Sequence, residues 1–574
     1  MWAPAAEQVD LVLADGTEPM RATSSGWWAA TRDLGAGVRY RFALDRCEPL
    51  ADPRALRLPE GPDGPAEVVD LAAMAWTDRD WRGVELHGTV IYELHVGTFT
   101  TDGTLDAAIH RLDHLVDLGV GLVELMPLAS FPGRHGWGYD GVGLWAVHEP
   151  YGGPAALARF VDACHARGMG VCRDVFYNHL GSSGNRLPDF GPYFTDQYQT
   201  PWGAAVNLDG PGSDEVRRFI TDNALMWLRD QHIDALRLDA VHALHDERAL
   251  PLLEQLSAEV DALAEHLGRP LWLIAESDRN DPRTVTPRDQ GGLGIHAQWA
   301  DDVHHGLHAA LTGETQGYYA EFAEPGALAK VLSGIFLHDG TWSAFRGRTH
   351  GRPLDRSRTP GWRFVASLQT HDQVGNRATG DRLSATLDVG SLACGAALLL
   401  TGPATPMLFM GEEWGASTPW QYFTDHPDPE LADAVRQGRR REFGSHGWAP
   451  DDVPDPQDAA TVVRSRLDWA EPERAAHARL LQWYRDLIAL RRARADLSDP
   501  RLYLVEVRQD HVSGTVVLER GRHRVVVNLS DKNVSLNVGV GELTVVAAFD
   551  PADTHVNSGT VQLPCRSATV LGPR

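Results

Sequence analysis

At 574 residues the chain exceeds what one hydrophobic core supports, so two to four domains are expected. A composition of 43% hydrophobic and 23% charged residues is that of an ordinary globular protein, and a formal charge of −25 excludes the cationic footprint that nucleic acid or an anionic membrane requires. Five scattered cysteines (Cys47, Cys164, Cys172, Cys394, Cys565) lack metal-ligand spacing, and the N-terminus lacks a basic segment before an apolar one. They predict buried thiols, no signal peptide and a cytoplasmic location.

Residues 1–84 read as an immunoglobulin-like β-sandwich plus linker: VDLVLADG (9–16) and VRYRFALD (38–45) are strands, and 48–67 is a Pro- and Gly-rich connector. The chain opens directly on strand-like MWAP, so an edge strand of the sandwich is expected to be missing. From 85 to 498 strand and helix alternate. TVIYELHV (89–96) is a strand, followed by a helix capped by Thr104, with Ile109, Leu112 and Val116 on its apolar face and Gly119 as its stop. GLVELMPL (121–128) is the next strand. Pro154 opens a second helix carrying Leu157, Phe160, Val161 and Cys164, Ser213 caps a third, and a fourth lies near 247–267. Continuous apolar strands after each helix mean a parallel sheet buried on both faces, and together a (β/α)₈ TIM barrel. Residues 178–212 are too long and polar for a simple loop and read as an excursion after the third strand. From 499 to 574 the period returns to two, an antiparallel β-domain. The longest apolar run, LACGAALLLTG (392–402), is too short to span a bilayer.

Four segments share one form, an apolar run ending in acidic, His or Asn groups: DVFYNH (174–179), LRLDAVHAL (236–244), LIAESD (273–278) and LQTHDQVGN (368–376). In a barrel such strand ends form the top face, where chemistry sits. Asp239 follows Arg237 by two, so both point to the same side of a strand, and the cation favours an ionised, nucleophilic carboxylate. Glu276 follows apolar LWLIA, where desolvation raises its pKa and suits a general acid. Asp372, beside His371, suits charge-assisted hydrogen bonds to sugar hydroxyls. Carboxylates in such unequal environments are the equipment for cleaving glycosidic bonds.

DVFYNH, RLDAVH, AES and THD resemble, in order, the four signature regions of the alpha-amylase family of retaining glycosidases. The resemblance implies Asp239 as nucleophile, Glu276 as acid/base and Asp372 as transition-state stabiliser. Arg237, His179 and His371 would line the subsite of the cleaved sugar, Tyr139 in HGWGYDGV (135–142) would stack beneath it, and Trp137 and His242 would lie close by. Asn178 matches a calcium-ligating position of classical amylases, but no cluster of oxygen ligands accompanies it in 180–212, so no metal and no cofactor are expected and Asn178 reads as a hydrogen-bonding loop residue.

WAPAAEQVDLVL, followed by YELHVGTFT (92–100), resembles segments shared by branching enzymes, debranching enzymes and malto-oligosyltrehalose trehalohydrolases of that family, whereas IHAQWADDVHHGLHAALTGETQGYY (295–319), LQTHDQVGNRATGDRL (368–383), LFMGEEW (408–414) and TPWQYFTDH (418–426) look specifically like the trehalohydrolases. That resemblance implies hydrolysis beside the terminal trehalose of a malto-oligosaccharide. Trp299, Asp301, Asp302 and Trp420 are then candidates for recognising the trehalose. A 1,4-α-glucan branching enzyme, with an acceptor hydroxyl in place of water, and a non-catalytic glucan-binding relative are the alternatives. The second is disfavoured by the intact Asp239, Glu276 and Asp372.

Overall fold

Eight short parallel strands close into a barrel, each paired with its neighbours in sequence and the last with the first. They are β1 (Ile91–Leu94), β2 (Leu122–Leu125), β3 (Gly170–Val175), β4 (Ala235–Leu238), β5 (Trp272–Ala275), β6 (Ala297–Trp299), β7 (Phe364–Ser367) and β8 (Thr405–Phe409). The computed structural model describes residues 1–444, 449, 452–539 and 543–573. Ile91, Leu122, Cys172, Ala235, Ile274 and Ala297 pack together as a small cluster separate from the main core. Two residues further along each strand, on the same side, stand Glu93, Glu124, Asp174, Arg237, Glu276 and Trp299. The period of two thus stacks a layer of mostly charged groups above an apolar plug, at the C-terminal end of the strands.

The intervening segments follow the sequence with local departures. The Thr104 hydroxyl accepts from the Ala107 amide at 3.2 Å and caps Leu105–Ile109. The helix then breaks at His110–Arg111 and resumes as Leu112–Leu118, ending at Gly119 with φ +96°. That break shifts the buried face to Leu105, Ala108, Leu112, Leu115 and Leu118, so Val116 is exposed, contrary to its expected place. Pro154 sits in the first turn of Gly153–His165, whose Leu157, Phe160, Val161 and Cys164 are all buried. The helix Ser213–Asp230 is preceded by Gly212 at φ +81°, and the Ser213 side chain makes no cap. The fourth helix runs Leu252–Leu267.

The excursion after β3 folds as a helical turn, Leu187–Phe190, and a hairpin of Phe194–Thr200 with Gly203–Val206, which puts Trp202 at its tip. N-terminal to the barrel, Val9–Leu13 pairs with Gly16–Pro19 and Arg39–Leu44 in a four-stranded sheet completed by Ala66–Glu67, beside a two-stranded pair, Arg21–Ala22 with Trp28–Ala29. C-terminal to it are a five-stranded and a three-stranded antiparallel sheet. Of LFMGEEW, Glu413 pairs with His114 at 2.8 Å and accepts from Tyr92 at 3.1 Å, while Glu412 accepts from Tyr484 at 3.2 Å. Both carboxylates are buried; Glu412 ties the end of β8 to the Ala475–Ala493 helix, and Glu413 ties it to β1 and the Leu112–Leu118 helix.

At the opposite, N-terminal mouth of the barrel, His165 is clamped between two carboxylates, Nδ1 to Asp78 at 2.8 Å and Nε2 to Asp234 at 2.9 Å. Asp234 also accepts from Trp81 Nε1 and Arg269, each at 2.7 Å. Asp78 and Trp81 belong to the connector leading into β1, so this clasp ties the connector to the start of β4. All five cysteines are free, and Cys47 and Cys565 are exposed, contrary to the expectation of burial, because they lie in the outer β-units. Among the described residues no helix is long and apolar enough to cross a membrane.

Candidate active site

Asp239 lies one residue beyond β4 and Glu276 one beyond β5, and a single guanidinium reaches both. Arg237 Nη1 is 2.5 Å from Asp239 Oδ1, and Nη2 is 3.7 Å from Glu276 Oε2. The same Nη1 lies 2.9 Å from Asp174 Oδ2, at the end of β3. Arg237 is buried, and its plane covers the Trp299 ring at 4.4 Å. Burial opposes its charge, but Asp174, Tyr139, Asp239 and Glu276 together hold the guanidinium protonated. Glu276 Oε2 also accepts from the Ala240 amide at 2.7 Å. Burial pushes the Glu276 carboxyl up to about 8, with Arg237 opposing and Asp239 adding to the rise. It therefore holds a proton at neutral pH, as a general acid must.

Below this pair a buried chain of hydrogen bonds fixes Tyr139 and His371. Tyr139 Oη donates to Asp174 Oδ2 at 2.6 Å and faces His371 Nε2 at 2.9 Å. His371 Nδ1 meets Glu93 Oε1 at 2.5 Å, and its backbone amide donates to the other Glu93 oxygen at 3.0 Å. The Tyr139 proton is spent on Asp174, so Nε2–H donates to Tyr139, and Nδ1–H donates to the carboxylate of Glu93: with both nitrogens donating, the ring is an imidazolium. Burial works against that charge, and Glu93 overcomes it and raises the His371 pKa. Glu276 sets the pH dependence of the site. Below pH about 8 it is neutral and can protonate a leaving oxygen; above it the acid is lost. The expected result is a basic limb of kcat/KM near pH 8 that falls tenfold per unit, moved or abolished in Glu276→Gln. A wild-type limb that persists unshifted in that variant would assign it to another group.

Asp372 sits in the short helical turn His371–Gly375 beyond β7, where Thr370 caps and Asn376 Nδ2 donates to Asp372 Oδ1 at 2.5 Å. Gly375 is obligatory there, since a Cβ would come within 2.0 Å of the Trp137 ring that passes underneath. A cavity of about 390 Å³ is lined by Trp137, Tyr139, His179, Arg237, Asp239, His242, Glu276, Trp299, Asp301, His371 and Asp372. Eleven of the thirteen residues singled out from sequence thus converge on one space. It continues, sharing Asp301 and Asp372, into a second cavity of about 1010 Å³ walled by Tyr318, Phe345 and Arg346. Burial, with Asp372 and Asp302 adding to it, pushes the Asp301 carboxyl up to about 7.

One of the expected contacts needs correction, and another lies in the second cavity. Trp420 is fully buried, stacked on Trp137 at 4.6 Å with its Nε1 donating to Thr98 Oγ1 at 3.0 Å. It is the backing of Trp137 and meets no ligand, because its loop folds onto the end of β8. Tyr422 is the aromatic of that loop that lines the cavity. Asp302 touches only the larger cavity, and its carboxylate is committed to Asn280 Nδ2 at 2.8 Å and the Leu337 amide at 2.6 Å. Asn178, expected to hydrogen-bond, is buried with both side-chain atoms unpartnered at the root of the excursion. Among the described residues no group of three or more His, Cys, Asp or Glu is arranged to hold a metal ion. Sequence reasoning also missed Trp202, whose ring lies flat on His179 at 4.5 Å and lines the cavity, and it missed the buried support Glu93.

Residues 77–190 match the family described as "Alpha amylase, catalytic domain". The chain is 59% identical over 534 residues, 92% of each sequence, to a malto-oligosyltrehalose trehalohydrolase of Arthrobacter ramosus. A solved structure titled as a putative alpha amylase from Salmonella typhimurium superposes with a TM-score of 0.91 at 35% identity, covering 100% of this chain and 97% of the other. A Bacillus cereus 1,4-alpha-glucan branching enzyme matches at 30% identity over only 52% of each chain. The barrel, the carboxylates gathered at its top and the near full-length likeness place this chain in the malto-oligosyltrehalose trehalohydrolase family of alpha-amylase-type glycoside hydrolases.

Proposed function

We propose that the protein cleaves the α-1,4 bond joining a malto-oligosaccharide to a terminal trehalose unit, by a retaining mechanism, releasing trehalose and a shortened malto-oligosaccharide. The observation that carries this reading is the convergence of Asp239 and Glu276 on one buried guanidinium, in a cavity that opens past Asp372 into a larger one. Two carboxylates held by one side chain suit direct covalent capture, where an inverting pair is set further apart to admit a water.

In the first step Glu276 gives its proton to the leaving oxygen while Asp239 attacks the anomeric carbon. The C1–O bond breaks, trehalose leaves, and a glycosyl ester forms on Asp239. The ester removes the Asp239 charge that helped raise the Glu276 pKa, so Glu276, now ionised, can take a proton from water as water displaces Asp239. Asp372 counters the positive charge that develops at C1 and the ring oxygen, above a floor formed by Tyr139 and His371. Arg237 Nη1, 2.5 Å from Asp239 Oδ1, holds the attacking carboxylate in place between turnovers. Trehalose occupies the larger cavity, where Tyr318 and Phe345 offer ring faces and Arg346 a hydrogen-bond donor.

The branching reading shares the carboxylates and differs only in the acceptor. Incubation with maltotriosyltrehalose and with maltopentaose separates them. Trehalose released from the first, at a rate well above hydrolysis of the second, is expected. A changed iodine stain of amylose without trehalose release would establish transfer, and no release from either sugar would establish a non-catalytic glucan binder. The five free thiols suit a cytoplasmic enzyme.

A further inference from the structure

Arg377 follows Asp372 by five residues, just beyond the turn, and reaches for the opposite wall. Its guanidinium meets Glu314 at two points, Nη2 to Oε1 at 2.9 Å and Nη1 to Oε2 at 3.1 Å, while Nε holds Asp381 at 2.7 Å. Glu314 is fixed in turn, its Oε2 taking His308 Nε2 at 2.9 Å and its amide donating to Thr312 Oγ1 at 3.1 Å. The His308 ring lies flat on Tyr319 at 4.3 Å, and Tyr319 packs on Tyr318 at 4.5 Å. The hydrogen bond from His308 holds the Glu314 carboxyl down to about 2, against burial and with the help of Arg377, so the pair stays charged at any working pH.

Glu314 opens a segment without regular structure, bounded by Gly313 at φ +73° and Gly317 at φ +58°, that ends in Tyr318. The segment has no ladder of its own; Tyr318 caps the turn Tyr319–Phe322 and its ring rests on His305 at 4.5 Å, so its register against the opposite wall depends on side-chain contacts. Within it, the Arg377 contact is the tie to the turn that carries Asp372. We propose that the Arg377–Glu314 pair is a positioning element that sets leaving-group selectivity: it holds the Tyr318 wall at a fixed distance from Asp372. The inference rests on the reading of the larger cavity as the trehalose site. Trehalose is a compact, rigid, non-reducing pair of rings, whereas the end of a plain malto-oligosaccharide is flexible. A wall in fixed register rewards the rigid ligand, and a loosened wall rewards neither.

The test compares Arg377→Lys, which keeps the charge but loses the two-point contact, with Glu314→Gln and with the double variant. For each, kcat/KM is measured on maltotriosyltrehalose and on maltopentaose, beside a thermal melt. The expected result is a selectivity ratio lowered about tenfold or more in each single variant, the order of effect that small misplacements produce. The double variant should lose no more than the larger single loss, because both changes break one contact. Parallel falls on the two sugars would overturn the proposal in favour of a merely structural role, whether or not the melting point drops. An unchanged ratio would overturn it as well. Absence of trehalose release by the wild type is a separate result: it would sink the trehalose reading before any variant is compared.

Discussion

Replacing Asp239 by Asn is expected to lower kcat on maltotriosyltrehalose by about 10⁴-fold or more, the scale on which loss of a covalent nucleophile registers. Asn has the shape of Asp and keeps an oxygen for Arg237 Nη1, which retains Asp174 as its second carboxylate partner. The fold and the cavity should therefore survive, and the loss should fall on kcat with little change in substrate binding. Azide is small enough to fill the vacated position and attack C1 directly, so it should restore turnover and yield a glycosyl azide of inverted anomeric configuration. Residual activity within tenfold of wild type, or no azide product, would mean that the ester on Asp239 is not an intermediate.

The second large effect is on stability. Arg237→Met should destabilise the protein by about 3–5 kcal/mol, the cost of leaving a buried charge without its partner. Arg237 is the cation that Asp174, Asp239 and Glu276 share, and Asp174 itself is buried. The sign of the pH dependence follows from Asp174. Burial already pushes its carboxyl up to about 6 even with Arg237 beside it, and without that cation it must rise further. A carboxyl raised above its unfolded value of about 3.9 supports the fold while protonated and loses that support as pH climbs through the folded value. The melting deficit of Arg237→Met relative to wild type should accordingly be smaller at pH 5 than at pH 8. An equal deficit at both would show that packing against Trp299, not charge, is what Arg237 supplies.

Much of this was legible in the chain because a barrel strand is short and its end is marked. The four acidic strand ends sit where the alternation of strand and helix puts them, and the period of two explains why Arg237 and Asp239 share a side. What escaped has physical reasons too. Glu93 stands inside an apolar strand, and only ring closure of β8 on β1 brings it to His371. Trp202 is carried by a hairpin within an aperiodic excursion, so nothing local signals that it folds back on His179. Tyr318 and Phe345 come from separate segments that meet only in three dimensions. Trp420 misled because a loop tryptophan reads as a platform until its neighbours are known, and here Trp137 and Phe409 cover it. Val116 turned outward because a two-residue break at His110–Arg111 is invisible to helical periodicity.

The clasp at the foot of the barrel bears on the nucleophile by a short path. Asp234, gripped by His165, Trp81 and Arg269, immediately precedes β4, and Asp239 immediately follows it. The strand is a strut pinned by charge at both ends, and its lower pin is partly supplied by the connector from the outer sheet. Evolutionary or laboratory pruning of that outer piece would free one end of the strut, and the height of the attacking oxygen would cease to be a property of the barrel alone.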